Sequence, residues 1–230
     1  VSAGATPTTF SPDVLAIEEP LEIRLDDRAL ATTMRIPGND VELAHGWLLA
    51  EGIVTSPHDV VTARFDLAVD GADSLNVLEV VLASWVVPPA HGIERLGTTT
   101  ASCGICGTAT IGAMAGTTAY PTADDPAMLD AEALMRLPGG LRGGQGLFER
   151  TGGTHGAALA RVDGSILAIR EDVGRHNAVD KVLGWALVDG RVPLTEHVLV
   201  LSGRVGFELV QKAAMAGVPI VTAVGAPTAL

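Results

Sequence analysis

The chain is poor in aromatic residues, cysteine and positive charge, and each shortage narrows what it can be. Phe, Trp and Tyr make up 3% of its 230 residues, so the core must be built from Val, Leu, Ile and Ala. Two cysteines exclude a disulfide-rich secreted scaffold. Fifteen Lys and Arg stand against 27 Asp and Glu, a formal net charge of −12. That field disfavours nucleic acid and anionic membranes as partners. The charge-free C-terminal run, residues 213–230, is broken by Gly217, Pro219, Gly225 and Pro227, so no membrane span is expected there. Residues 1–7 show neither the basic nor the apolar region of a signal peptide. A cytoplasmic protein with reduced thiols is the expectation. What the chain does have is 47% hydrophobic residues and ample length for a self-sufficient core.

Periodicity divides the chain. Residues 14–17, 21–25 and 29–35 predict strands, the last two joined at Asp26-Asp27. A helix follows Pro37-Gly38, with Asn39 or Asp40 as N-cap, Leu43, Trp47 and Leu48 on one face and Gly52 at its end. Residues 60–69 and 75–87 predict two more strands, the second stopped by Pro88-Pro89. Residues 124–137 predict a helix and the Gly-rich 138–146 a loop. Asp163-Gly164 predicts a hairpin between strands 157–162 and 165–170. A helix over 178–188, a strand over 198–201, a helix over 205–216 and a strand over 219–224 complete the pattern. The last strand–helix–strand run predicts a parallel pair with a crossover. The division is an N-terminal α+β part, residues 13–98, and a C-terminal α/β part, residues 99–230.

Both cysteines fall in Ser102-Cys103-Gly104-Ile105-Cys106-Gly107, within a run of small and hydroxylic residues. A Gly-rich loop brings backbone N–H groups to a sulfur, and a helix starting near Thr108 would further favour thiolate. Three uses compete: two buried small side chains, zinc ligation, or thiol chemistry as a redox pair or sulfur carrier. Zinc needs four ligands, or three and a water. The six histidines are scattered, Ser102 rather than proline precedes Cys103, and no His-x-Glu occurs. No stoichiometric zinc is therefore expected.

A second polar cluster spans Glu171-Asp172-Val173-Gly174-Arg175-His176-Asn177-Ala178-Val179-Asp180-Lys181, between a strand and a helix. Asn177 is the expected helix cap, leaving Arg175 and His176 above the strand end, where α/β sheets bind ligands. Ser202-Gly203-Arg204 is a short turn between a strand and a helix, suited to an anion. His155 ends a Gly-rich turn, and Lys212 lies on the following helix. Residues 170–212 hold six of the 15 basic and six of the 27 acidic side chains, so this stretch is neutral while the rest carries the whole −12. An anionic ligand would find its opening at Arg175 and Arg204.

Residues 18–24, 34–38, 102–107, 151–155, 171–181 and 202–204, in that order, resemble the FdhD/NarQ family of formate dehydrogenase accessory sulfurtransferases, from about Asp13 to the last residue. The resemblance implies a three-layer α/β/α, cytidine-deaminase-like C-terminal domain without zinc, beside a smaller α+β domain. It implies that Cys103 carries a persulfide taken from a cysteine desulfurase, with Cys106 beside it. The sulfur passes to the molybdenum bis(molybdopterin guanine dinucleotide) cofactor on its way into formate dehydrogenase. GDP would mimic part of that cofactor. His155, Arg175, His176, Asn177, Lys181, Ser202, Gly203, Arg204 and Lys212 are the expected contacts, and a homodimer the expected state. Family members often have Lys after the cysteine motif, where this chain has Thr108. They also continue past the position of Leu230 with a basic, aromatic segment implicated in cofactor binding. Two other roles fit the residues: a non-covalent cofactor chaperone and a thiol-disulfide oxidoreductase.

Overall fold

A computed structural model describes residues 13–66, 75–87 and 118–228. The cysteine motif, Thr108, Pro88-Pro89 and the expected boundary at residues 98–99 lie outside the described residues.

The first sheet begins with a hairpin. β1 (Glu19–Leu25) and β2 (Arg28–Arg35) pair antiparallel. Asp26 and Asp27 both take left-handed backbone, at φ 49° and 61°, the conformation a two-residue hairpin of this hand requires. β3 (Val60–Phe65) and β4 (Val77–Leu82) also pair antiparallel, and β4 lies parallel to β1, giving the order β2-β1-β4-β3. Leu21, Ile23 and Leu25 alternate inward along β1. The expected strand over residues 14–17 is absent. That segment is irregular, and Val14, Leu15 and Ile17 are exposed.

Between β2 and β3 runs α1 (Asp40–Ala50). Asn39 is its N-cap in left-handed backbone and makes no side-chain cap bond. Gly52, also left-handed at φ 70°, follows its end.

The second sheet has the order β6-β5-β7-β8. β5 (His155–Arg161) and β6 (Ile166–Asp172) flank the expected Asp163-Gly164 turn. β7 (His197–Leu201) lies antiparallel to β5. It leads through α5 (Phe207–Met215) to β8 (Ile220–Ala223), the expected parallel pair. Both faces of this sheet are buried, so its strands read as continuous apolar runs. Ala158, Ala160, Val198 and Val200 face Leu137 and Leu141 of α2 (Ala131–Gly143). Ala157, Leu159, Leu199 and Leu201 face α4 (Arg175–Val188) and α5. The result is helix, sheet and helix in three layers.

α2 corrects the sequence expectation. It starts at Ala131, capped by Asp130, which accepts from Ala133 N–H at 2.6 Å. It then continues through Pro138 to Gly143, where a loop was expected, and α3 (Gly146–Thr151) follows. Two of the glycines lie against the sheet. A Cβ at Gly140 would lie 2.6 Å from Ile166 Cδ1, and one at Gly144 2.2 Å from Ile169 Cδ1.

α1 crosses α4 with backbone against backbone. A Cβ on Gly46 would lie 1.8 Å from the Asp180 carbonyl oxygen, and one on Gly184 1.7 Å from that of Glu42. This approach gives α1, α4, β1 and β4 one continuous core, containing Leu21, Leu48, Leu78, Val182 and Leu183. Arg170 of β6 reinforces it with a two-pronged contact to Glu42, at 2.6 and 2.7 Å. Gly184→Ala is expected to lower stability by about 3 kcal/mol, because the obstacle is a carbonyl that cannot rotate away. For a chain this long that is about 6–12 °C in Tm. Gly139→Ala, inside α2 with a Cβ that meets nothing within 4 Å, is the control and should leave Tm unchanged or raise it slightly in thermal unfolding.

Candidate functional site

Sheet geometry gathers the polar motifs at one edge. β6, β7 and β8 end there, and β5, being antiparallel to β6 and β7, begins there: His155 pairs with Asp172, and Ala157 with Leu201. α4 starts directly above, at Arg175. The turn Ser202-Gly203-Arg204 fits beneath because it carries no bulk. A Cβ on Gly203 would sit 3.3 Å from His155 Nδ1 and 4.0 Å from Arg175 Cδ. One on Gly225 would sit 2.8 Å from Arg204 N, so the end of β8 also approaches closely. Ser202 Oγ accepts from Gly156 N–H at 2.8 Å, fixing the turn to β5. Arg204 is exposed. His155, Arg175, His176, Gly203 and Arg204 therefore share one end of the sheet.

Behind this basin, α4 and α5 are clasped by two polar pairs, one of them ionic. His176 Nε2 lies 2.8 Å from Glu208, and Lys212 Nζ lies 2.7 and 2.9 Å from the two oxygens of Asp180. Burial, then the Lys212, Arg175 and His155 charges, press His176 down to about 4, against the pull of Glu208. The imidazole is then neutral at pH 7 and donates Nε2–H to Glu208. Burial first, then Arg175, lowers His155 too. Burial raises Asp180 to about 6 in spite of Lys212. Among the described residues at this sheet end, the cations left to meet a ligand are Arg175 and Arg204, beside the N–H groups of the first turn of α4. This suits a phosphate or pyrophosphate.

Besides His176 and Ser202, three more expected contacts are occupied by internal partners. Asn177 is not the helix cap; Gly174 is, and Asn177 lies one turn inside. Its amide donates to the Met34 carbonyl at 2.8 Å and to Asp172 Oδ1 at 3.1 Å. Lys181, 1% exposed, places Nζ 2.7 Å from Asp172 Oδ2 and 2.8 Å from the Ile36 carbonyl. Lys212 is held by Asp180. Sequence reasoning expected these cations and the amide to face a ligand because it had no view of where β2 ends or of how α5 packs against α4. It also missed Glu171 and Asp172. Glu171 accepts from Leu147 N–H and Phe148 N–H, both at 2.8 Å, and from the Thr154 hydroxyl at 2.7 Å. Their acidic character in a strand end was the available signal.

A cleft of about 210 Å³ lies apart from the basin, lined by Pro37, Gly144, Leu147, Arg170, Glu171 and Lys181 among others. Among the described residues there is no group of three or more His, Cys, Asp or Glu placed to hold a metal ion, and no helix long and apolar enough to cross a membrane.

A mixed α/β protein with two four-stranded sheets and an arginine-bearing basin at one sheet end is thus defined. The sequence profile of the FdhD/NarQ family matches residues 16–230, and the chain belongs to that family. It is 50% identical over 224 residues to the sulfur carrier protein FdhD of Mycobacterium tuberculosis, an alignment covering 95% of this chain and 81% of that protein. The sulfur carrier protein FdhD of Nocardia farcinica is 49% identical over 220 residues, covering 95% and 77%. A crystal structure of a putative formate dehydrogenase accessory protein from Desulfotalea psychrophila superposes with a TM-score of 0.70 at 22% identity, covering 95% of this chain and 78% of that one. That likeness is one of fold.

The depressed His176 has a stability consequence. Between the ordinary pKa of 6.5 and the folded value of about 4, the unfolded chain binds the proton and the folded chain does not. The contribution of His176 is therefore present above pH 6.5 and is lost as pH falls towards 4. NMR titration should find its imidazole neutral at pH 6, and His176→Asn should flatten the acid side of the stability curve. A titration midpoint above the ordinary value would contradict this.

Proposed function

We propose that this chain carries sulfur for formate dehydrogenase, with Cys103 as the carrying residue. The observation that carries the reading is 50% identity, across 95% of the chain, to proteins named sulfur carrier. It is joined by the presence of Cys103-Gly104-Ile105-Cys106-Gly107 in the sequence. The Cys103 thiolate attacks the outer sulfur of a persulfide on a cysteine desulfurase. The S–S bond of the donor breaks, the donor cysteine leaves as thiolate, and Cys103 holds the persulfide. The sulfur then goes to the molybdenum bis(molybdopterin guanine dinucleotide) cofactor as substrate, ahead of its entry into formate dehydrogenase: the Cys103 S–S bond breaks, Cys103 leaves as thiolate, and the reduced cofactor supplies the two electrons that convert the outer sulfur to sulfide. No zinc takes part, and the protein works as a cytoplasmic homodimer.

The basin supports the cofactor half of this reading. A guanine dinucleotide offers pyrophosphate oxygens, which Arg175, Arg204 and the α4 N-terminus can meet, and GDP is the simplest probe. His155 and the small turn at Ser202 and Gly203 shape the floor on which it would lie.

Two measurements test the proposal. Incubation with a cysteine desulfurase and cysteine should add the mass of one sulfur atom to the intact chain. Cys103→Ala should abolish the adduct and formate dehydrogenase activation, while Cys106→Ala keeps the adduct. An adduct on Cys103→Ala would refute the assignment. In calorimetry with GDP, Arg175→Ala and Arg204→Ala should each weaken binding by roughly 1.5–3 kcal/mol, the worth of a charge-assisted contact, without blocking persulfide formation. Unchanged affinity in both folded variants would place the nucleotide elsewhere.

A further inference from the structure

Asp172 is the most heavily engaged carboxylate at the basin end of the molecule, and none of its partners belongs to the basin. It is 0% exposed. Oδ1 accepts from Gly174 N–H at 3.0 Å and from the Asn177 amide at 3.1 Å, both at the start of α4. Oδ2 accepts from Ile36 N–H at 3.1 Å and from Lys181 Nζ at 2.7 Å. Lys181 also donates to the Ile36 carbonyl, so the backbone of Ile36 is gripped at both its N–H and its C=O. Asn177 extends the link to the Met34 carbonyl, and Thr33 Oγ1 lies 3.2 Å from Asn177 Oδ1. One carboxylate, one ammonium and one amide thus bolt the end of β2 to the first turn of α4. Arg175, the cation offered to an anion, and His176, held behind the basin by Glu208, sit within that turn, between Gly174 and Asn177.

We infer that Asp172 and Lys181 are positioning residues for the anion basin: with its charge balanced by Lys181, Asp172 holds the Gly174-to-Asn177 turn that places Arg175 and His176. This rests on the basin being the nucleotide site proposed above. It assigns Lys181 a role through the helix rather than a contact with ligand, since both hydrogen-bond partners given to its Nζ are internal. A buried pair of this kind is sensitive to losing one member, because the remaining charge is stranded, and tolerant of losing both charges together.

That asymmetry supplies the test. GDP affinity is measured by calorimetry in the full chain, beside Tm and the NMR titration of His176. Lys181→Met strands the Asp172 carboxylate. It is expected to weaken GDP at least tenfold and to move the His176 midpoint up towards that of an exposed histidine. Asp172→Asn/Lys181→Met has no buried charge and keeps an amide able to accept from the turn. It should return GDP affinity to within about threefold of the unmodified chain, and His176 with it. A lysine that touched the ligand directly would give a double variant as weak as the single one, and that result overturns the inference. So does a folded Lys181→Met with unchanged GDP affinity and unchanged His176. Should Lys181→Met fail to fold, the double variant decides alone on the same threefold criterion. Failure of the unmodified chain to bind GDP would refute the nucleotide reading. The His176 titration would then decide the positioning role, sustaining it if the single variant shifts the midpoint and the double restores it, and refuting it otherwise.

Discussion

The crossing of α1 over α4 is the constraint on which the rest of the structure depends. Two glycines, Gly46 and Gly184, each face a backbone carbonyl of the other helix at a distance that admits no side chain. With the axes that close, the apolar sides of both helices and the inner face of the first sheet meet in one core. A larger residue at either position would pry the first sheet away from α4. It would also pull on the Arg170–Glu42 contact and on the bonds that tie Met34 and Ile36 to α4.

An acidic chain that presents arginines to an anion must keep its own carboxylates away from them. Here the carboxylates nearest the site are used up in the structure. Glu171 receives the N–H groups of Leu147 and Phe148, Asp172 receives four donors, Asp180 takes Lys212, and Glu208 takes His176. Removing one member of a buried pair such as Asp172–Lys181 leaves a charge that burial penalises by several kcal/mol, about 3–5 in comparable cases. The cost of desolvating these groups is offset by hydrogen bonds, and the local field is left to Arg175 and Arg204.

Much of the fold was legible in the sequence. The Asp26-Asp27 and Asp163-Gly164 turns, the parallel pair β7 and β8 and the helix after Asn39 all follow from local chemistry. The errors share a cause. Gly140 and Gly144 looked like loop residues, yet Gly140 lies within a helix and Gly144 caps it, and they lie close to Ile166 and Ile169. Residues 14–17 have strand chemistry but no strand to join. At the site, the pattern showed which residues gather at the sheet end: His155, Arg175, His176 and the Ser202 turn. It did not show which way they face. Lys181 and Arg175 are equally basic in sequence. Only the position of Ile36, a partner 145 residues away, separates an internal bolt from an open cation.

The two pairs joining α4 and α5 also set the alignment of those helices. His176 and Asp180 are one turn apart, as are Glu208 and Lys212, and the acid sits on α5 in the first pair and on α4 in the second. Sliding α5 by one turn would set Glu208 against Asp180 in one direction, or Lys212 against His176 in the other. The first sets two acids face to face, and the second leaves Asp180 buried without its cation. The crossing therefore has one admissible register, and the turn that precedes α5 is delivered to the sheet end at a fixed height.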